Sequence, residues 1–119
     1  MISHVVLFKP RPDLSPAERE ALLDAMRTAF TGIPQIKRVR VGRRRLIGRG
    51  YEAQMTVDFE YAAVLEFDDE PALRTYLDHP AHADLGRHFG LTAAAALVYD
   101  FSMIEPERIR ELLDDPAAS

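Results

Sequence analysis

The stretch that decides the fold is residues 2–8, which read ISHVVLF. It is short, rich in β-branched residues and followed by Pro10 and Pro12, so it predicts a β-strand. Successive strand residues point to opposite faces. Here both sets are largely apolar: Ile2, His4, Val6 and Phe8 on one face, and Ser3, Val5 and Leu7 on the other. A strand with one wet face alternates more cleanly, so we expect this strand to be covered on both sides.

The chain that follows predicts a helix, two strands, a second helix and a last strand. Ser15, Pro16 and Glu18 form a capping box that starts the first helix, and Gly32 ends it. Strands follow near residues 36–45 and 59–67. Asp68 or Asp69 caps the second helix, which is interrupted at 79–80 and continues to residue 90, before a strand over 94–103.

This order is the βαββαβ pattern of an α+β, ferredoxin-like protomer. Right-handed crossovers place the helices on one face of a four-stranded antiparallel sheet. The other face would expose a large apolar patch, so we expect a homodimer through the sheet faces, forming a dimeric α/β barrel. The predicted core is Leu22, Met26, Phe30, Leu65, Phe67, Leu73, Leu77, Phe89 and Phe101.

Length and composition bound the organisation and the function class. The 119 residues suit one domain, predicted over 1–104, with a short C-terminal helix and tail over 105–119. No cysteine is present, and a net charge of −4 argues against nucleic-acid binding. No apolar run approaches membrane-spanning length, and no leader is visible, so we expect a cytoplasmic protein without a membrane partner.

Tyr76 and His82 are the strongest candidates for chemistry. They flank the helix break at Pro80. A histidine near its ordinary pKa can accept a proton from an acidic carbon, and a tyrosine hydroxyl can donate to the oxyanion that forms. Asp100 would orient the imidazole. In the alternative interpretation, His79 and His82 bond backbone carbonyls freed by the proline, and the tyrosine is core.

Two further patterns favour structural interpretations. The i, i+3 spacing of His79 and His82, with acids nearby, is typical of a metal site. The proline between the two histidines breaks the helical geometry, so we expect no metal. The basic run from Lys37 to Arg49 holds seven cations and no acid. It suits an anionic ligand, but carboxylates at Asp58, Glu60 and Glu66 favour cross-strand ion pairs.

Several segments also resemble the Dabb family, the stress-responsive dimeric α/β-barrel proteins. They are residues 2–9 (ISHVVLFK), 33–34 (IP), 41–42 (VG), 63–67 (AVLEF), 76–82 (YLDHPAH) and 98–101 (VYDF). The resemblance covers residues 2 to about 103. It implies ferredoxin-like protomers whose sheets face each other as a barrel.

The resemblance extends to a plant polyketide cyclase of that family, which needs no cofactor. Matched by position, its catalytic pair falls on Tyr76 and His82, and its polar pocket residues fall on His4, His79 and Asp100. An aromatic pocket residue of the cyclase falls on Met26. The catalytic pair is thus matched, whereas the pocket lining differs from that of the cyclase. We also expect Met26, and Val6 and Phe8 on the face shared with His4, to contact the ligand.

Three functions follow from these patterns. The leading prediction is a homodimer, without cofactor, that binds a small apolar ligand between helices and sheet. The second is a cofactor-independent cyclase or lyase acting on a polyketide-like compound. The third is a structural stress protein without a pocket, so the three differ in whether a cavity and a reactive pair are present.

Overall fold

The computed structural model describes residues 1–114. Its strands are β1 (Ile2–Pro10), β2 (Arg38–Arg43), β3 (Tyr61–Phe67) and β4 (Ala93–Ser102). Its helices are α1 (Pro16–Gly32), α2 (Glu70–Asp78) and α3 (Pro80–Thr92), with short 3₁₀ helices at Gly50–Gln54 and Pro106–Leu113. The predicted element order is therefore confirmed. None of the described helices is long and apolar enough to cross a membrane.

The four strands form one antiparallel sheet in the order β2-β3-β1-β4. The first strand is central, and Val5 lies opposite Val64 on one side and Tyr99 on the other. The helices pack against one face of this sheet, where the strand residues of the core are buried. This is the ferredoxin-like arrangement expected from the sequence.

Local side-chain chemistry fixes where two helices begin. The hydroxyl of Ser15 accepts from the Glu18 N–H at 3.1 Å, while the Glu18 carboxylate accepts from the Ser15 N–H at 3.0 Å. These two bonds are the predicted capping box of α1, and they satisfy donors that the first turn leaves free. Asp69 caps α2 by accepting from the Ala72 N–H at 2.9 Å.

Most of the predicted core is confirmed, and two of its members are wrong. Leu22, Leu65, Phe67 and Leu73 are buried, and Met26, Phe30 and Phe89 are partly buried against them. Leu77 and Phe101 are 36% and 50% exposed. Phe101 pairs with Ser3, so strand parity places it on the helix-free face. Leu77 follows Tyr76, the residue that α2 turns toward the core.

The helix-free face is apolar and uncovered within one protomer. We call it the open face; it consists of Val5, Leu7, Ala62, Val64, Leu97, Tyr99 and Phe101. Tyr99 is 54% exposed, and Val64 is 39% exposed. Within residues 1–114 the helices thus cover only one side of the first strand, whereas we expected cover on both sides.

Besides shifts of one or two residues at strand ends, two helical segments differ from the sequence expectation. Helix α3 does not stop at Gly90 but runs to Thr92, which is buried and donates its hydroxyl to the His88 carbonyl at 2.7 Å. Tertiary burial at that last turn outweighs the poor helix propensity of glycine. The expected C-terminal helix is a 3₁₀ segment with a kink at Arg108. The rest of the predicted tail, 115–119, lies outside the described residues.

The basic run is only partly paired with acids. Arg44 bonds Asp58 at 2.7 Å, as expected for a pair between neighbouring segments, and Lys37 contacts Asp68 at 3.1 Å. Arg43 instead lies on the helix-side face of β2 with Val39 and Val41, because these positions share strand parity. The run therefore does not form one continuous charged face.

Candidate functional site

Four side chains, each in contact with the next, connect the sheet to the helices. The ring of His4 bonds Asp100 on the neighbouring strand, with Nδ1 and Oδ1 2.5 Å apart. Its centroid lies 5.8 Å from that of Tyr76, and Tyr76 lies 4.7 Å from His82, both edge-on. The structure thus brings together four of the predicted site residues, which we call the polar cluster: His4, Tyr76, His82 and Asp100.

The break between α2 and α3 gives the polar cluster its shape. Helix α2 ends because Pro80 disfavours helical geometry at His79. The His79 backbone N–H donates to the Tyr76 carbonyl at 3.1 Å, and the His82 N–H donates to the His79 carbonyl at 3.0 Å. This tight turn returns His82 to the side of Tyr76, although the two are on different helices.

His79 caps a helix and does not join the polar cluster. Its Nδ1 accepts from the Ala81 N–H at 3.0 Å, which makes it the N-cap of α3. His79 and His82 therefore have different partners. Residues 1–114 contain no group of three or more metal-ligating side chains.

His82 is set up as a neutral base. Its Nδ1 lies 3.1 Å from the Leu77 carbonyl, and because a carbonyl only accepts, Nδ1 donates and Nε2 carries the lone pair. Burial lowers the pKa of His82 below 6.5; the Leu77 bond raises it in part, and nearby His4 lowers it further. The ring is therefore unprotonated at neutral pH and able to accept a proton.

Tyr76 is set up as a proton donor. It is 1% exposed, and its ring also packs against Phe67, with centroids 5.2 Å apart. Burial raises the pKa of the hydroxyl to about 12, so the phenol stays protonated at neutral pH. A protonated phenol beside a neutral imidazole is the combination needed to stabilise an oxyanion while a base removes a proton.

The structure corrects the role assigned to Asp100. We expected it to orient His82, but it bonds His4. The correction follows from the sheet register, which places Asp100 directly opposite His4. The backbone carbonyl of Leu77, which no side-chain pattern reveals, orients His82 instead.

A separate cavity of about 370 Å³ lies between α1 and the sheet. Val6, Phe8 and Met26, all predicted ligand residues, line this cavity, which we call the α1 cavity. Its other lining residues are Pro10, Leu14, Arg19, Leu22, Leu23, Val41, Gly42, Arg43, Tyr61, Ala62, Ala63 and Phe89. The polar cluster and His79 do not line it. The predicted site residues are therefore divided between two places.

Sequence reasoning missed Arg19 and Arg43 as lining residues. Strand parity alone signals Arg43, because it lies two residues after Val41 on the helix-side face. Arg19 gives no such signal. It is an exposed residue in the first turn of α1, and only tertiary packing places it beside the cavity.

The family model described as the Stress responsive A/B Barrel Domain (Dabb) matches residues 2–103. Because this match spans most of the chain, the protein belongs to the Dabb family. A comparison with curated protein sequences found no significant match.

Solved structures similar to this chain share its fold. A ferredoxin-like Dabb protein from Mesorhizobium loti is 20% identical with a TM-score of 0.68, covering 87% of this chain and 97% of its own. A dimeric ferredoxin-like protein of unknown function from Thermobifida fusca is 24% identical, with a TM-score of 0.67. The match covers 86% of this chain and 90% of that protein. A hydroxynitrile lyase from Passiflora edulis is 14% identical, with a TM-score of 0.70. The match covers 87% of this chain and 94% of the lyase. These likenesses show a common fold, and fold alone does not assign an activity.

Proposed function

We propose that this Dabb protein binds a small, mainly apolar molecule in the α1 cavity. The observation that carries the proposal is the cavity itself, whose volume of about 370 Å³ is typical of small-molecule pockets. An apolar ligand would fill this space, and its burial would be favourable by about 25 cal/mol per Å² of apolar surface.

The test uses N-phenyl-1-naphthylamine, a neutral apolar dye that fluoresces when buried. We expect the protein to bind it, and Met26→Trp, which places an indole in the cavity, to abolish binding while circular dichroism stays unchanged. Leu91→Trp is the matched control, because Leu91 is 57% exposed and lies outside the cavity. No dye binding by the wild type, or equal binding by Met26→Trp, would contradict the proposal.

The geometry of the polar cluster favours a second candidate function, cofactor-independent lyase or cyclase chemistry. In that reaction the Nε2 atom of His82 takes a proton from a carbon next to a carbonyl. Tyr76 donates a hydrogen bond to the enolate oxygen, and the carbanion then closes a ring or expels a leaving group. His82 is partly exposed, whereas Tyr76 is 1% exposed, so a substrate would reach the pair from the side of His82.

Proton exchange tests this chemistry without knowledge of the substrate. We expect the protein to accelerate deuterium exchange at the acidic carbon of ethyl acetoacetate, followed by NMR. His82→Gln should lower that acceleration by about 100-fold or more. His88→Gln is the control, because His88 lies outside the polar cluster. An exchange rate with the wild-type protein equal to that in buffer alone would refute the catalytic hypothesis. If the dye also fails to bind, the third predicted function, a structural protein without a pocket, is the better account.

We also propose that two copies associate through the open face. The apolar face is continuous across three strands, and a related ferredoxin-like structure is described as dimeric. Covering such a face is the expected solution for an exposed apolar patch. Sedimentation at micromolar concentration should show a dimer, and a stable folded monomer would refute the proposal.

A further inference from the structure

We propose that the ligand of the α1 cavity is an amphipathic carboxylate, whose acid group is held between Arg19 and Arg43 at the cavity's end. This inference rests on the ligand-binding function proposed above and names the chemical class of the ligand. It starts from the residues of the described chain that line the cavity, all of which are apolar or glycine except Arg19, Arg43 and Tyr61.

The topology brings the two arginines to the same end of the cavity. Register pairs Tyr61 with Phe8 on one side and with Arg43 on the other, so all three lie where β1 ends and β3 begins. Helix α1 starts just after that end of β1, and Arg19 lies in its first turn. Arg43 therefore lines the cavity from the sheet, and Arg19 lines it from the helix.

Glu18 and Glu60, which adjoin Arg19 and Tyr61 in sequence, already have other partners. Glu18 accepts from Arg11 and from the Ser15 N–H, and Glu60 lies 3.8 Å from Lys9. The ion pairs formed among residues 1–114 include neither Arg19 nor Arg43. Two cations at an apolar cavity, without a protein carboxylate between them, favour an anion supplied by the ligand.

The geometry of Arg43 suits carboxylate recognition. Its guanidinium lies 5.5 Å from the centre of the Tyr61 ring, and its Nη2 lies 3.4 Å from the Tyr61 hydroxyl. Packing on an aromatic ring restricts a guanidinium while its N–H fork stays available for bidentate bonds to a carboxylate. Both arginines line the cavity and are exposed overall, an arrangement that lets the aliphatic stem of an arginine contact an apolar ligand while its charged group stays near water.

The chemical class of the ligand follows from the separation of apolar and charged residues in the cavity lining. The apolar walls bind an aliphatic or aromatic body, and the charged end selects an acid over an alcohol or amine of the same length. Charge-assisted hydrogen bonds contribute enough to change an affinity about tenfold or more. The α1 cavity should therefore discriminate by head group as well as by fit.

Calorimetric titration with decanoate and with 1-decanol tests the inference on the full-length protein. We expect decanoate to bind at least about tenfold more tightly than the alcohol. Arg43→Gln and Arg19→Gln should each weaken decanoate binding by about tenfold and leave 1-decanol within about twofold. Arg27→Gln and Arg45→Gln are the matched controls, because they remove the same charge from exposed positions outside the cavity lining.

The outcomes separate the two proposals. Equal affinity for decanoate and 1-decanol overturns the carboxylate inference and leaves apolar binding intact. Unchanged decanoate affinity in both the Arg19→Gln and the Arg43→Gln variants has the same meaning. Failure of both ten-carbon probes while the neutral dye binds also overturns it. Failure of all three probes overturns the cavity function on which it rests.

Discussion

Truncation of Phe67 tests the packing that supports the polar cluster. Its ring is 0% exposed and lies 5.2 Å from that of Tyr76. Phe67→Ala removes about 150 Å² of buried apolar surface, which at about 25 cal/mol per Å² amounts to about 4 kcal/mol. Fully buried phenylalanines typically cost about 3–5 kcal/mol when truncated. We therefore expect a loss of about 3–5 kcal/mol in the free energy of unfolding.

Urea denaturation at one fixed protein concentration measures this loss. With a slope of about 2 kcal/mol per M, the midpoint should fall by roughly 1.5–2.5 M. Phe67→Leu is the matched control: it keeps most of the apolar volume, and its loss should stay within about 1.5 kcal/mol. A loss below about 1 kcal/mol for Phe67→Ala would show that the site collapses around the missing ring and that Tyr76 does not depend on it.

Three further predictions concern other parts of the molecule. Phe101→Ala should leave the protomer folded but weaken the proposed dimer at least about tenfold in sedimentation, because this exposed ring lies on the open face. A dimer of unchanged affinity would place the interface elsewhere. His79→Ala should cost about 1 kcal/mol in urea unfolding, because it removes the cap of α3, and His79→Asn should recover part of that loss; equal losses would contradict the capping role. Burial lowers the pKa of folded His82 below 6.5, so the unfolded chain binds the proton more readily and stability should fall as pH falls below about 6.5. His82→Gln should flatten this pH dependence, and an identical slope in both proteins would refute it.

The sequence could predict the fold because its signals are local and agree with one another. The capping box at Ser15, the proline at residue 80 and the alternation along residues 2–8 each act within a few residues. Such signals fix where helices and strands begin and end, and consistency among them specifies the topology. The residues of the polar cluster were also predictable, since the resemblance named all four by position.

The burial of individual aromatics and the partners of polar groups required the tertiary structure. Phe67 and Phe101 look alike in sequence, but the sheet register places one in the core and the other on the open face. Asp100 pairs with His4 because those residues are opposite each other, a relation across 96 positions of chain. Local patterns carry no information about such distant pairs.

What the sequence by itself determined was therefore the element order, the caps of α1 and α2, the family and the candidate site residues. Only the tertiary structure decided that the predicted site residues divide between the polar cluster and the α1 cavity, and that Arg19 and Arg43 both line that cavity. The physical reason is that periodicity and capping depend on neighbours along the chain. The contents of a cavity depend instead on which faces meet when sheet and helices pack.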